Sequence, residues 1–214
     1  MLSFTIFGIP VRVEPWFWLT MVLIGGGLQA NSSQGMLQVA MFVVAGFISI
    51  MVHELGHALS IRKYKLPTSI TLVAFGGFAS YPSGILDRKQ SFIVSAAGPA
   101  YQLILGILMY CILRWGPVPP ASLLNILIYY LMVISILWAV FNCVPVYPMD
   151  GGQLLAAVLG PKRQHFVFLT GAVCALLIGI AGYRYFHSLI LPIFMGFLAW
   201  KNWQDYQKTR PQSR

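Results

Sequence analysis

Charge is scarce in this chain. Only 9% of its 214 residues are Asp, Glu, Lys or Arg, and the acidic ones are just Glu14, Glu54, Asp87, Asp150 and Asp205. A soluble domain keeps its surface wet with about 25% charged residues. A water-facing globule, an acidic tail, a nucleic-acid module and a disordered linker are therefore excluded. Cysteine is nearly missing too. Cys111, Cys143 and Cys174 are odd in number, lack paired spacing and lie in apolar stretches, so they read as buried small hydrophobes. No internal repeat or low-complexity run is present.

What the chain has in excess is hydrocarbon. AVILMFWYC make up 58% of it and the mean hydropathy is +0.75. Its natural solvent is a lipid bilayer. A span needs about 20 mostly apolar residues. Six candidates stand out: Trp16–Leu28, Leu37–Ile61, Ser91–Leu113, Leu123–Val144, Phe166–Gly182 and Tyr185–Trp200. Polar or Gly/Pro punctuation separates them, the last pair by a tight Gly182-Tyr183-Arg184 turn. Trp16/Trp18 and Trp200/Trp203 read as interfacial belts.

With six spans, Arg12, Arg62, Lys63, Lys65, Arg88, Lys89, Lys162, Arg163, Lys201, Lys208, Arg210 and Arg214 share one face, against Arg114 and Arg184 on the other. This asymmetry places both termini, and the basic 201–214 tail, in the cytoplasm. A removable signal peptide is the competing reading of the start. No basic residue precedes Arg12, and Phe4–Val11 is already hydrophobic, which argues against it.

One apolar stretch is not a span. Leu66–Tyr81 is rich in Thr, Ile, Val and Phe and reads as a β-hairpin or two short strands, and Phe4–Val13 reads as another extended piece. Gly76-Gly77 would weaken a strand unless another backbone approaches closely there. The expected fold class is thus an all-α polytopic membrane protein of about six transmembrane helices. It adds a small β element, with strands near 4–13 and 66–81, on the cytoplasmic side.

Glu54 and Asp150 lie within or against apolar segments, where a carboxylate costs about 2.5–3.5 kcal/mol on insertion scales. Something must compensate. Glu54 belongs to His53-Glu54-Leu55-Gly56-His57, an H-E-x-x-H inside the helical Leu37–Ile61 run. Residues four apart share a helix face, so the two imidazoles can grip one ion from adjacent turns, with Glu54 beside a metal-bound water as its general base. A zinc-bound water has a pKa of about 7. Catalytic zinc usually takes three protein ligands, and Asp150 is the only other intramembrane carboxylate. It follows a stretch that Pro145 and Pro148 break, with Gly151-Gly152 expected to let the chain resume at unusual dihedrals. Irregular backbone at membrane depth must line a protein-enclosed or watered cavity. Asn142 is a candidate donor to a developing oxyanion, or a helix–helix hydrogen-bonding group. His57 is five residues before Arg62 and Asp150 twelve before Lys162, so both fall nearer the basic face.

Taken together, these motifs resemble the site-2 proteases, the zinc intramembrane metalloproteases, in their minimal prokaryotic form without PDZ or CBS domains. The matching pieces are Gly8–Val13, His53–Leu59, Phe75-Gly76-Gly77, Ala97-Gly98-Pro99 and Asn142-x-x-Pro145-x-x-Pro148-Met149-Asp150-Gly151-Gly152. The resemblance implies one Zn2+ per chain on His53, His57 and Asp150, with Glu54 as general base. It implies a membrane-protein substrate with a transmembrane helix, held as an added β-strand along Phe75, Gly76 and Gly77. The chain is expected to form one membrane-embedded metalloprotease domain over 1–214, with core spans 37–61, 91–113 and 123–152, in a prokaryotic inner membrane. Gln102 stands where the family often has Asn, Glu14 where it often has His, and Gln153 where it often has Arg. A membrane metal transporter and a non-catalytic substrate-binding relative are the alternatives. The first needs ion sites along a path across the bilayer, and the second would have lost Glu54 or a ligand. His165 and His187 read as interfacial or partner-bonded groups.

Overall fold

The computed structural model describes residues 1–82, 84–120, 122–186 and 189–210. The chain divides into two compact units, one of residues 1–85 with 97–140, the other of 86–96 with 141 onward. His187 and the last four residues of the basic tail lie outside the described residues.

The first unit begins with β1 (Leu2–Ile6) and β2 (Ile9–Val13), an antiparallel hairpin where the sequence suggests one extended piece. Its two-residue turn, Phe7-Gly8, holds both residues at positive φ, 50° and 74°, the geometry that suits the twist of a hairpin. β3 (Ser69–Val73) pairs parallel with β2, and β4 (Gly76–Ser80) antiparallel with β3, so the order is β1-β2-β3-β4 with β4 at an edge. Alternation fixes the inner face: Ile9, Val11 and Val13 of β2 and Ile70 and Leu72 of β3 are buried. They pack with Phe17 and Met21 of α1 (Pro15–Ile24) and Ile50, Met51 and Ala58 of α2 (Ser33–Lys63).

Ser32 caps α2 by accepting the Gly35 N–H at 3.0 Å, and Arg62 and Lys63 occupy its last turn, where cations suit the helix dipole. The Arg62 guanidinium donates to the Phe7 carbonyl of the β1–β2 turn. α3 (Arg88–Trp115) starts at a reciprocal cap. Gln90 N–H donates to Asp87 Oδ1 at 2.8 Å and Asp87 N–H to Gln90 Oε1 at 3.0 Å. Where α2 meets α3, a Cβ on Gly56 would lie 2.6 Å from the Ala97 carbonyl oxygen, so the two backbones approach as only small residues allow. α4 (Leu123–Asn142) is capped by Ser122, which accepts the Asn125 N–H at 3.1 Å.

In the second unit, α5 (Asp150–Leu159), a 3-10 turn at Pro161–Arg163, α6 (Gln164–Phe186) and α7 (Ile190–Thr209) follow. Val146, Ala175, Met195 and Leu198 form its core. Arg88 closes the end of α5 by donating to the Ala157 and Val158 carbonyls.

Among the described residues, four helices are long and apolar enough to cross a membrane by length and composition: α2, α3, α4 and Pro161–Tyr185. The Trp16–Leu28 candidate yields only the ten residues of α1, about 15 Å of helix, because the Gly25-Gly26-Gly27 run ends it, with Gly26 at φ 84°. The turn expected at Gly182–Arg184 is helical. Gly182 is there for space, since a Cβ would lie 2.6 Å from Leu191 Cδ2 of α7. The last candidate span moves along the chain to α7, whose second half brings in Lys201, Asp205 and Lys208.

Candidate metal centre

In the first unit, α2 buries His53, Glu54 and His57 together; they are 4%, 4% and 8% exposed. The four-residue spacing brings the imidazoles face to edge, ring centroids 4.8 Å apart at 77°. Their Nε2 atoms lie 3.1 Å from one another. Two nitrogens on a tetrahedral ion at about 2.05 Å each would be about 3.3 Å apart, so this pair fits a shared divalent cation with little adjustment. Gly98 of α3 faces His57, and any Cβ there would occupy the imidazole's place.

Behind His53 runs a polar chain inside the apolar core. His53 Nδ1 lies 2.9 Å from Gln102 Oε1 of α3, and Gln102 Nε2 donates to Ser49 Oγ at 2.9 Å. Ser49 Oγ is in turn 2.8 Å from Ser135 Oγ of α4. Gln102, Ser49 and Ser135 are fully buried. Sequence reasoning noted Gln102 only as a departure from a family pattern and missed both serines. The available signal was the position of Gln102 itself, a costly amide in an apolar helix.

Glu54 is covered by the edge strand. A Cβ on Gly77 would lie 2.9 Å from both Cγ and Oε1 of Glu54. Of the predicted Gly-Gly pair, Gly77 is therefore the one needed for close approach, with the side chains of Leu72 and Glu54 rather than another backbone as its neighbours. Gly76 takes φ 151°, and Phe75, at φ 64° in the β3–β4 turn, is half-exposed. Four predicted residues thus meet in one unit: His53, Glu54, His57 and Gly77.

Asn142 and Asp150 belong to the second unit. Asn142 ends α4, half-buried. The expected break after it is present: residues 143–149 are irregular, and Asp150, 7% exposed, is the first residue of α5. A carboxylate suits a helix N-terminus. Gly151 and Gly152 do not serve unusual dihedrals; both are helical. A Cβ on Gly152 would lie 2.5 Å from Tyr147 N, and one on Gly151 would overlap the Cys143 and Val144 carbonyls, so the broken segment folds directly onto the first turn of α5. Asn202 of α7, which sequence reasoning missed, clamps that segment. Its Oδ1 accepts the Tyr147 N–H at 3.3 Å, while its Nδ2 donates to the carbonyls of Tyr147 and Leu198. Gly171 makes room for that amide. Gln153 adds a bond from Nε2 to the Pro148 carbonyl at 3.0 Å. His165 is half-buried against the Phe166 ring, and the three cysteines are free.

Comparison with known proteins places the chain in a family. The sequence model of peptidase family M50 matches residues 41–120 and 114–183. The zinc metalloprotease MJ0392 of Methanocaldococcus jannaschii is 30% identical over 164 residues, 74% of this chain and 45% of that protein. The protein sll0528 of Synechocystis sp. is 31% identical over 164 residues, 72% of this chain and 43% of its own length. The chain thus spans less than half the length of these two relatives. The solved structure of the site-2 protease from M. jannaschii superposes with a TM-score of 0.67 at 26% identity, covering 100% of this chain and 98% of that one. With its apolar helices and a motif match across most of its length, the chain is an integral membrane protein that belongs to peptidase family M50, the site-2 protease family.

Proposed function

We propose that this protein is a zinc-dependent intramembrane endopeptidase that cleaves a transmembrane segment of another membrane protein. One observation carries the reading: α2 presents two buried imidazoles with their Nε2 atoms 3.1 Å apart, and the intervening Glu54 lies beneath an edge strand. Ligand nitrogens, general base and a surface that an extended peptide can join are thus assembled within one unit.

His53, His57 and Asp150 hold the ion in this reading. All three are buried and each offers one ligand atom, a ring nitrogen from each histidine and a carboxylate oxygen from the aspartate. Two nitrogens and one oxygen are the donor set of many catalytic zinc sites. Zinc, when bound, acidifies water and polarises the scissile carbonyl. Glu54 accepts the proton that the attacking water loses and delivers it to the leaving amine nitrogen. Asn142 donates its amide to the oxygen on which charge develops. The substrate helix unwinds and adds to β4 on the edge away from β3, next to Phe75, Gly76 and Gly77, so main-chain hydrogen bonds present its peptide bonds over Glu54.

The whole chain acts as one membrane-embedded domain. The basic asymmetry of its loops sets both termini and the sheet in the cytoplasm, at a prokaryotic inner membrane. A transporter is disfavoured because the candidate ligands do not string out along a path.

The test is co-expression with a library of single-span membrane proteins, comparing wild type with Glu54→Gln. Wild type should release fragments that the variant does not, while the purified variant keeps one zinc per chain. Equal fragment patterns from the two would remove Glu54 from the mechanism.

A further inference from the structure

The His53–Gln102–Ser49–Ser135 chain has a direction. An amide offers an oxygen that only accepts and a nitrogen that only donates, and which end is which is decided by its neighbours. Here one end of Gln102 lies 3.4 Å from the Ser49 backbone carbonyl, besides its 2.9 Å bond to Ser49 Oγ. A carbonyl cannot donate, so that end is the NH2 group. The oxygen must then face His53 Nδ1, at 2.9 Å. An acceptor at that distance requires a proton on Nδ1, and a neutral imidazole with Nδ1–H carries its lone pair on Nε2. Nε2 is the atom turned toward His57.

We propose that Gln102 is the positioning residue of the metal centre: it locks the His53 ring in the tautomer whose Nε2 carries the ligating lone pair, and Ser49 with Ser135 locks Gln102. The inference rests on the reading of His53 as a zinc ligand and adds to it the group that prepares the ligand before metal arrives. Outer partners of metal-bound histidines are typically worth about 10–100-fold in metal affinity. Three features favour this role over plain helix packing. The amide is fully buried between apolar helices. Ser49 anchors it through both hydroxyl and carbonyl. On its other side its oxygen meets the imidazole.

The experiment uses the full chain in detergent, with Gln102→Met to remove the acceptor at similar volume and Gln102→Glu to restore an oxygen. With only four histidines in the chain, selective 15N-imidazole labelling resolves His53, assigned by its loss in His53→Asn. In the metal-free wild type His53 should be protonated at Nδ1, and in Gln102→Met that preference should disappear. Zinc affinity, from chelator competition, should fall about 10–100-fold in Gln102→Met and return to within about threefold of wild type in Gln102→Glu. A wild-type His53 protonated at Nε2, or a Gln102→Met protein with unchanged tautomer and zinc affinity, overturns the proposal. If the wild type binds no zinc while Gln102→Met still loses the Nδ1–H tautomer, the positioning role stands and the zinc reading fails.

Discussion

α2 and the segment from Phe141 to Gly152 present their polar groups by opposite means. In α2 a regular helix spaces His53 and His57 on one face, and Gln102 and the serines tune a geometry the helix already supplies. The second segment has no periodicity to rely on. Asn202 holds Tyr147 by both backbone groups, Gln153 holds Pro148, and two glycines let the chain fold onto α5 before Asp150. A ligand on a helix is fixed by covalent geometry and local hydrogen bonds. A ligand after a break is fixed only by what the break touches.

Substitutions can break this comparison or sharpen it. The largest effect is expected from Asp150→Ala, which should lose both zinc and cleavage, as His53→Ala should. If Asp150→Ala kept one zinc per chain by elemental analysis, the two segments would not share an ion. Glu54→Gln should lower the cleavage rate by about 10²–10⁴-fold with zinc retained, separating chemistry from binding inside α2 itself.

Gly77→Ala puts a methyl group 2.9 Å from the Glu54 carboxyl. A displacement of about 1 Å at a reacting group costs on the order of 100-fold in rate, so cleavage should fall by about 10–100-fold with unchanged zinc affinity. A change in zinc affinity there would show the strand to be part of the metal site. Val73→Pro should impair substrate capture by disrupting the hairpin, and normal cleavage would return β3–β4 to the status of a connecting loop.

The smallest effect is expected from Asn202→Leu. Losing the Tyr147 clamp should cost about 1–3 kcal/mol of stability, measured as a lower melting temperature in detergent. Limited proteolysis should then increase between residues 143 and 149 and not within α2. Uniform destabilisation without local cleavage would mean that the broken segment does not depend on Asn202.

Much of this was legible in advance, and the exceptions share a cause. His53, Glu54 and His57 could be placed because a four-residue spacing has one meaning on a helix. Phe4–Val13 reads as extended but not as a hairpin, because the Phe7-Gly8 turn puts a bulky residue at positive φ, where glycine or asparagine is usual. Gly182 suggests a turn and Gly151-Gly152 suggest conformational hinges, yet all three are helical and mark close approach of Leu191 and of the broken segment. A glycine in a sequence does not say whether it serves dihedral freedom or space. Only the neighbour does.

By itself the amino-acid order determined the bilayer as solvent, four of the six candidate spans as helices long enough to cross it, the imidazole pair with its adjacent carboxylate, and the break before Asp150. Each follows from composition or from a periodicity of a few residues, which local backbone geometry translates directly. Tertiary structure alone decided that Gly77 lies over Glu54, that Gln102 turns its oxygen to His53, and that Asn202 holds Tyr147. Those pairs are separated by 23, 49 and 55 positions, and no local pattern encodes which distant amide will meet a given ring or carbonyl when helices pack.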